Sequence, residues 1–168
     1  MPAPETSTGI YCIQKHRAST LHYDLRLQVG DTLASWAVLK GPSTDPADKR
    51  LAIRVEDHPL DYADFEGVIP EGGYGAGTVM LWDRGTCENL KDKTLPQALA
   101  DGHVEVFIRG EKLHGGYALV KMRGRGEDNW LLIKMDDEHA RRETDITDAE
   151  PRSVTTGRTL DDIAREES

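Results

Sequence analysis

The 168-residue sequence predicts a mainly β fold, a small closed or partly open β-barrel with one or two short helices. Three observations point there. Short runs of alternating apolar and polar residues recur, as half-buried strands require. Glycine-containing turns separate most of them. One segment of the body has a clear helical start and stop. A barrel is preferred to an open sandwich because closure removes exposed edges, and a small barrel mouth suits a polar site.

In chain order, residues 10–13 and 22–29 read as the first two strands. Gly30-Asp31 turns the chain into a third strand at 34–39. Residues 42–49 form a loop, with one helical turn at 45–48. The fourth strand points Leu51, Ile53 and Val55 to the core and turns Arg50, Arg54, Glu56 and His58 the other way. Residues 67–77 hold five glycines and one proline and predict a loop. A strand at 78–82 follows, then a helix over 94–100, with Thr94 as N-cap and Gly102 as the stop. Three more strands are predicted at 103–108, 117–122 and 130–135. Residues 136–157 carry high charge and weak periodicity, and Thr159 caps a short helix over 159–164. The expected organisation is a flexible arm (1–9), a barrel (10–135) and a charged C-terminal tail or linker (136–168).

Apolar content of 38% and charged content of 30% fit a folded domain of this length. No apolar run of about 18 residues exists to cross a membrane as a helix. The N-terminus lacks the basic and apolar regions of a signal peptide. Cys12 and Cys87 form no Cys-x-x-Cys pair, so both read as small buried hydrophobes. A cytoplasmic protein without membrane association is expected. The net charge of −9 argues against broad electrostatic binding of nucleic acid. Residues 136–168 account for −6 of it, so the body is near neutral and its basic residues can gather around one anion.

The chemistry concentrates between His16 and Arg26. On a strand over 22–29, His22, Asp24 and Arg26 share one face, spaced about 7 Å apart. His16 lies six residues before His22, a spacing that suits a loop returning its imidazole to the base of that strand. His16, His22 and Asp24 then offer two imidazoles and a carboxylate to Mn²⁺, Zn²⁺ or Fe²⁺. The bland alternative, a set of hydrogen-bonded histidines, is weakened by three ligand types in so short a run. Arg26, Arg50, His58 and Lys40 supply donors for an anion if the fourth strand lies across a pocket from the second. A solvated charged face is the competing account of Arg50, Arg54, Glu56 and His58. The glycine-rich run 72–77 lacks a Gly-Lys-Ser/Thr ending and precedes a strand, so it is no nucleotide loop. His22-x-Asp24 with His58 also mimics the facial triad of an Fe(II) oxygenase, but no Arg-x-Ser follows His58 to hold a 2-oxoacid.

Five segments make the pattern recognisable: His16-x5-His22-x-Asp24-x-Arg26; Ser35-Trp-Ala-Val-Leu-Lys40-Gly-Pro42; Asp45-Pro46 to Lys49-Arg50; Val55-Glu-Asp-His58-Pro-Leu-Asp-Tyr62; and Phe65-Glu-Gly-Val-Ile-Pro-Glu-Gly72. Together they closely resemble the 3′-phosphoesterase domain of bacterial DNA ligase D and its self-standing relatives, over roughly residues 10–135. The resemblance implies a small β-barrel with its site in a polar crevice. It implies a Mn²⁺-dependent activity, with Zn²⁺ or Co²⁺ as alternatives, that removes a 3′-terminal ribonucleoside and then a 3′-phosphate from DNA. It further implies that His16, His22 and Asp24 hold the metal, that Arg26 and His58 contact the scissile phosphate, and that Lys40, Arg50, Glu56 and Tyr62 support the pocket. The implied partners are DNA 3′ ends and, in trans, a ligase, polymerase or end-binding protein. Two departures stand out. Ligase-embedded relatives carry a longer basic arm that contributes to ribonucleotide removal, and here Pro2-Ala3-Pro4-Glu5 is its sole counterpart. Leu39 stands where many relatives have proline. A non-catalytic module that docks DNA ends is the reading from a different class.

Overall fold

Alternation of side chains along ten residues of the first strand decides how this chain divides inside from outside. Tyr11 and Ile13 point into the main core, while Cys12, Gln14 and His16 take the opposite face. The computed structural model describes residues 8–70, 72, 76–124, 128–142 and 145–167. Its strands are β1 (Thr8–Arg17), β2 (Leu21–Val29), β3 (Thr32–Val38), β4 (Lys49–Pro59), β5 (Gly67–Ile69), β6 (Gly77–Asn89), β7 (His103–Gly110), β8 (His114–Lys121) and β9 (Asn129–Lys134). The sheet runs β1-β2-β3-β4-β9-β8-β7-β6, all antiparallel, and β6 pairs back onto β1 to close an eight-stranded barrel. The short β5 adds to β6 beside that seam.

The barrel is filled by Tyr11, Leu25, Trp36, Trp82, Val106, Tyr117, Leu119 and their neighbours. Trp36 and Trp130 meet edge to face with centroids 5.6 Å apart, a geometry the ring quadrupoles favour. Asp83 is fully buried and fixes the β7–β8 turn by accepting from the Glu111, Lys112 and Leu113 amides and from the Tyr11 hydroxyl. Helix α1 (Leu95–Asp101) begins as expected: Thr94 and Gln97 form a reciprocal capping box, and Gly102 ends it at φ 81°. Cys12 and Cys87 are buried free thiols, and burial pushes them up to about 12 and about 11.

Three expectations are corrected. Residues 14–17 continue β1 as strand, so His16 does not return on a loop; it pairs directly with His22 across the hairpin. The fourth strand faces the other way. Ala52 enters the core and Leu51 is 37% exposed, because the small Ala52 is the residue that fits opposite Val38 and Trp130. A bulge then places His58, rather than residue 57, opposite Leu33, which breaks the parity shared by Arg54 and His58. Arg54 stays on the inner side over the Trp36 ring, while His58 turns to the outer face. Finally, β3 lies between β2 and β4, so those two do not face each other across a pocket.

Residues 145–167, expected within a charged tail, carry α2 (Ile146–Ala149) and α3 (Leu160–Glu167). Thr159 receives the Asp162 amide, as its predicted capping role requires, and Ile163 is fully buried against the barrel. No helix among the described residues is long and apolar enough to cross a membrane.

Candidate metal and phosphate site

The site sits on the outer wall of the barrel, where β1 and β2 turn polar side chains away from the core, and not in the barrel mouth. A 3₁₀ turn over Leu60–Asp64 lies across this wall and buries Cys12, Leu33, Ala63 and Leu81 in a second small core. Polar groups beneath it are therefore buried and must find partners.

His16, His22 and Asp24 converge, with one ligand atom from each within 4.8 Å of the others. The hairpin register explains this: His16 and His22 are cross-strand partners, and Asp24 is two residues on, over the same face. His16 Nδ1 lies 3.6 Å and His22 Nε2 3.1 Å from the Asp24 carboxylate. Burial pushes the Asp24 carboxyl up, but hydrogen bonds from His16 and His22 and the charge of Arg26 outweigh it and hold the group well below the carboxylate range. The same Asp24 hydrogen bond raises His22, against the opposing effect of its burial. His16 Nε2 lies 3.3 Å from the Ala76 carbonyl. With a cation bound and the proton on Nε2, Nδ1 would turn a lone pair to the cluster in place of its hydrogen bond to Asp24, which is how outer partners fix a metal-binding imidazole. This donor set fits a divalent cation.

Arg26 is fully clamped beside it. Nε donates to Gln14 Oε1 at 2.6 Å, Nη1 to Ser35 Oγ at 2.8 Å and Nη2 to Asp24 at 3.4 Å. Gln14 is held in turn by donating to the Tyr62 and Phe65 carbonyls. A guanidinium has five N–H groups; Nη1 faces both Ser35 Oγ and His58 Nδ1, so the one that remains for a ligand oxygen is on Nη2. Tyr62 lies under the guanidinium at 5.0 Å and stacks on Phe65. His58 packs on Tyr62 and sets Nδ1 3.2 Å from Arg26 Nη1 and 3.1 Å from the Glu56 carbonyl. Burial and then the Arg26 charge lower its pKa, so His58 is a neutral imidazole. When Arg26 donates to Nδ1, the proton sits on Nε2 and can be offered to an anion.

The structure thus brings together His16, His22, Asp24, Arg26, His58 and Tyr62. Glu56 contributes its carbonyl to His58, while its own side chain is exposed. Lys40 is exposed in the turn after β3, and Arg50 pairs with Asp48 at 3.7 Å. Among the described residues, neither makes a hydrogen bond or ion pair to the cluster. Gln14, Ser35 and the Ala76 carbonyl were not foreseen. Gln14 alternates with His16 on β1, and that parity was the available signal. The run 72–77 lies partly outside the described residues.

The class defined here is a closed antiparallel barrel with a two-histidine, one-carboxylate cluster and a clamped arginine on its outer wall. Residues 14–121 match the DNA Ligase D 3′-phosphoesterase domain, and the chain belongs to that family. It is 52% identical over 159 residues to the multifunctional non-homologous end joining protein LigD of Pseudomonas aeruginosa, covering 92% of this chain and 19% of that protein. It is 41% identical over 141 residues to the LigD protein of Mycolicibacterium smegmatis, covering 81% of this chain and 18% of that one. The multifunctional non-homologous end joining DNA repair protein LigD of Mycobacterium tuberculosis is 39% identical over 155 residues, covering 92% of this chain and 20% of its own length. The chain thus spans about a fifth of the length of these relatives.

Proposed function

We propose that this chain is a metal-dependent phosphoesterase that heals DNA 3′ ends, removing a terminal phosphate or ribonucleoside to leave a 3′-hydroxyl for end joining. The observation that carries this reading is the placement of His16, His22 and Asp24 directly beside Arg26 and His58. A pure binding module has no need of a three-ligand cluster next to an anion clamp. Family membership and relatives named for non-homologous end joining support the same reading. DNA ends are the substrate, a ligase, polymerase or end-binding protein acts in trans, and the cytoplasm is the place of work.

His16, His22 and Asp24 would hold Mn²⁺, with Zn²⁺ or Co²⁺ as alternatives; the chemistry such an ion supplies is Lewis-acid stabilisation of charge on a phosphoryl oxygen. The rest belongs to the protein. Arg26 directs its remaining N–H, on Nη2, at the phosphate and cannot swing away, because Gln14 and Ser35 hold it. Charge that builds on the phosphoryl oxygens meets a preorganised donor, an effect on the order of 3 kcal/mol per well-placed group. His58, as a neutral imidazole, donates from Nε2 to a phosphate oxygen and so holds that oxygen beside Arg26. Tyr62 fixes the planes of Arg26 and His58 from below. Lys40 and Arg50 stand at the rim where β2 begins and reach phosphate oxygens once an end is bound.

The test is Mn²⁺-dependent digestion of two labelled primer–templates, one ending in a 3′-phosphate and one in a single 3′-ribonucleotide, with His22→Ala as control. The expected result is phosphate loss from the first and shortening of the second, both abolished in His22→Ala with the fold retained. No reaction on either, with DNA still bound, would replace this reading with an end-docking module.

A further inference from the structure

The C-terminal segment, which lies beyond the matched residues 14–121, reaches back to the wall that carries Arg26. Its point of contact is Glu66. The Glu66 side chain is only 6% exposed, and its carboxylate meets three donors from two parts of the chain. The Leu81 amide donates to Oε1 at 2.9 Å, while the Thr156 hydroxyl and Arg158 Nη2 donate to Oε2 at 2.7 and 2.9 Å. Arg158 is itself held fast. Nε donates to Thr156 Oγ1, Nη1 pairs with Glu166 and Glu167 at the end of α3, and the Arg158 carbonyl accepts the Ser153 amide. Beside them the Val154 amide donates to the Leu81 carbonyl, so Leu81 carries Glu66 on one main-chain group and the C-terminal segment on the other. Leu81 is the residue of β6 opposite Gln14.

We propose that Arg158 is a positioning residue of the phosphate site: by holding Glu66 it sets the turn that fixes Gln14, and through Gln14 the Arg26 guanidinium. The inference rests on the end-healing reading above and deepens it, by assigning part of the anion clamp to a segment outside the matched region. The link from Glu66 to Gln14 is covalent and short. The Phe65 carbonyl that accepts from Gln14 Nε2 belongs to the same planar peptide unit as the Glu66 nitrogen. The Phe65 ring stacks on Tyr62, which lies under Arg26 and supplies the second carbonyl to Gln14. Val154 packs on the same small core as Tyr62, so the segment also touches this turn through apolar contact. A carboxylate this enclosed cannot exchange Arg158 for water where it stands. Deprived of its counter-charge it must shift toward solvent, since a buried charge without a partner is strongly destabilising. That shift drags the peptide between Phe65 and Glu66, and with it the carbonyl and the ring that hold Gln14 and Tyr62 in place. Arg26 then keeps its bond to Ser35 and loses the rigidity of its Gln14 partner. Arg158 and Glu66 thus act on the site without touching substrate.

The experiment compares the wild type with Arg158→Gln, Arg158→Lys and Asp161→Asn. Asp161→Asn breaks the exposed pair to Arg17 and so loosens α3 without touching Glu66. Release of phosphate from a 3′-phosphorylated primer–template with Mn²⁺ gives kcat and KM. Exchange of the Arg26 Nε–H with solvent is followed by NMR on the protein alone. Removing a preorganised donor outright costs on the order of 10²–10³ in kcat, so loosening one in Arg158→Gln should cost about tenfold, with KM little changed. The Arg26 Nε–H should exchange about tenfold faster, as a locally opened group does. Arg158→Lys keeps a charged donor to Glu66 and should recover most of both, and Asp161→Asn should change neither. A double variant separates the relay from general weakening. Gln14→Glu already cuts the two bonds to the turn, so adding Arg158→Gln to it should lower kcat by less than about twofold further, where independent effects would multiply. Wild-type kcat and exchange in a destabilised Arg158→Gln would overturn the positioning role and leave the end-healing reading intact, as would equal losses in Asp161→Asn. If Arg158→Gln fails to fold, Glu66→Gln, which keeps the side-chain shape and removes the charge, carries the same expectations. Faster Arg26 exchange on loss of Arg158, from a wild type that releases no phosphate, would uphold the positioning role and remove the end-healing reading.

Discussion

Gln14 shows how much of this site depends on a neutral side chain. It is fully buried, accepts from Arg26 Nε at 2.6 Å, and donates to the Tyr62 and Phe65 carbonyls at 2.8 and 3.1 Å. One amide thus ties the anion clamp to the turn that covers it. Replacing it with alanine strands a charged N–H and two carbonyls away from water. Buried groups left unpaired cost about 1–3 kcal/mol each, and partial relaxation brings the expected loss for Gln14→Ala to about 2–3 kcal/mol. Urea unfolding at constant m-value checks it. Gln14→Glu should keep Arg26 in place but lose both donated bonds, and so recover part of the activity and little of the stability. A Gln14→Ala protein of wild-type stability and activity would remove Gln14 from this role. His16, His22, Asp24 and Arg26 were legible because their residue types are rare on a wet strand face. Gln14 and Ser35 were not, because an amide or a hydroxyl is ordinary there, and only the depth of burial reveals their work.

At the scale of elements, most strands and α1 were legible from alternation, glycine turns and the Thr94 cap, while β5, which lies in the expected loop 67–77, the second half of β6 and the bulges were not. The shift between Leu33 and Ser35 decides that His58 joins Arg26 on the outer wall, and no residue pattern in β4 announces it. A second irregularity, at Ile13 and Gln14 opposite Asp83 and Leu81, keeps Trp82 in the core and Gln14 outside. Glycine marks a third constraint. Gly77 has φ 132°, and a Cβ there would stand 2.2 Å from the Arg17 carbonyl oxygen. Main chain cannot yield as a side-chain tip does, so Gly77→Ala must push the start of β6 off the end of β1. That displaces the adjacent Ala76 carbonyl, which orients His16. The expected cost is about 1–3 kcal/mol of backbone strain, with weakened Mn²⁺ binding measured by isothermal titration. Gly72→Ala, with nothing within 4 Å of its Cβ, is the control for strain without a clash. Equal Mn²⁺ affinity in both variants would show that the approach of Gly77 to β1 does not position His16.

For the whole molecule, the instructive misreading is the C-terminal segment. Eleven acidic and five basic residues over 136–168 suggested a solvated tail, yet its charges are used in place. Arg158 bridges Glu66, Glu166 and Glu167, and Arg17 pairs with Asp161. Charge density in a sequence does not reveal whether its partners lie across the fold. The segment is also fastened from the barrel side: Trp82 Nε1 donates to the Glu150 carbonyl at 2.6 Å, and Lys112 Nζ donates to the Glu150 and Arg152 carbonyls. Lys112 lies over the Trp82 ring at 4.5 Å, and burial pushes its pKa down to about 8 against the opposing pull of Asp83 and Glu150. The sign of the consequence follows from proton counting. Between about pH 8 and the ordinary lysine value, the unfolded chain holds a proton at this position that the folded chain has released, so this site makes stability rise with pH. Below that window both forms are protonated, and the full cost of the buried charge is present. Tyr11, Cys12 and Cys87 act in the opposite direction, because burial raises them and the unfolded chain ionises first. They do so equally in any Lys112 variant. Lys112→Met keeps an unbranched stem on Trp82 and removes the titration. Melting temperatures of the two proteins, measured from about pH 7 to about pH 10, should therefore diverge steadily in favour of the wild type as pH rises. Parallel curves would mean that Lys112 keeps its proton in the folded protein, and that the carbonyls of Glu150 and Arg152 solvate it as well as water does.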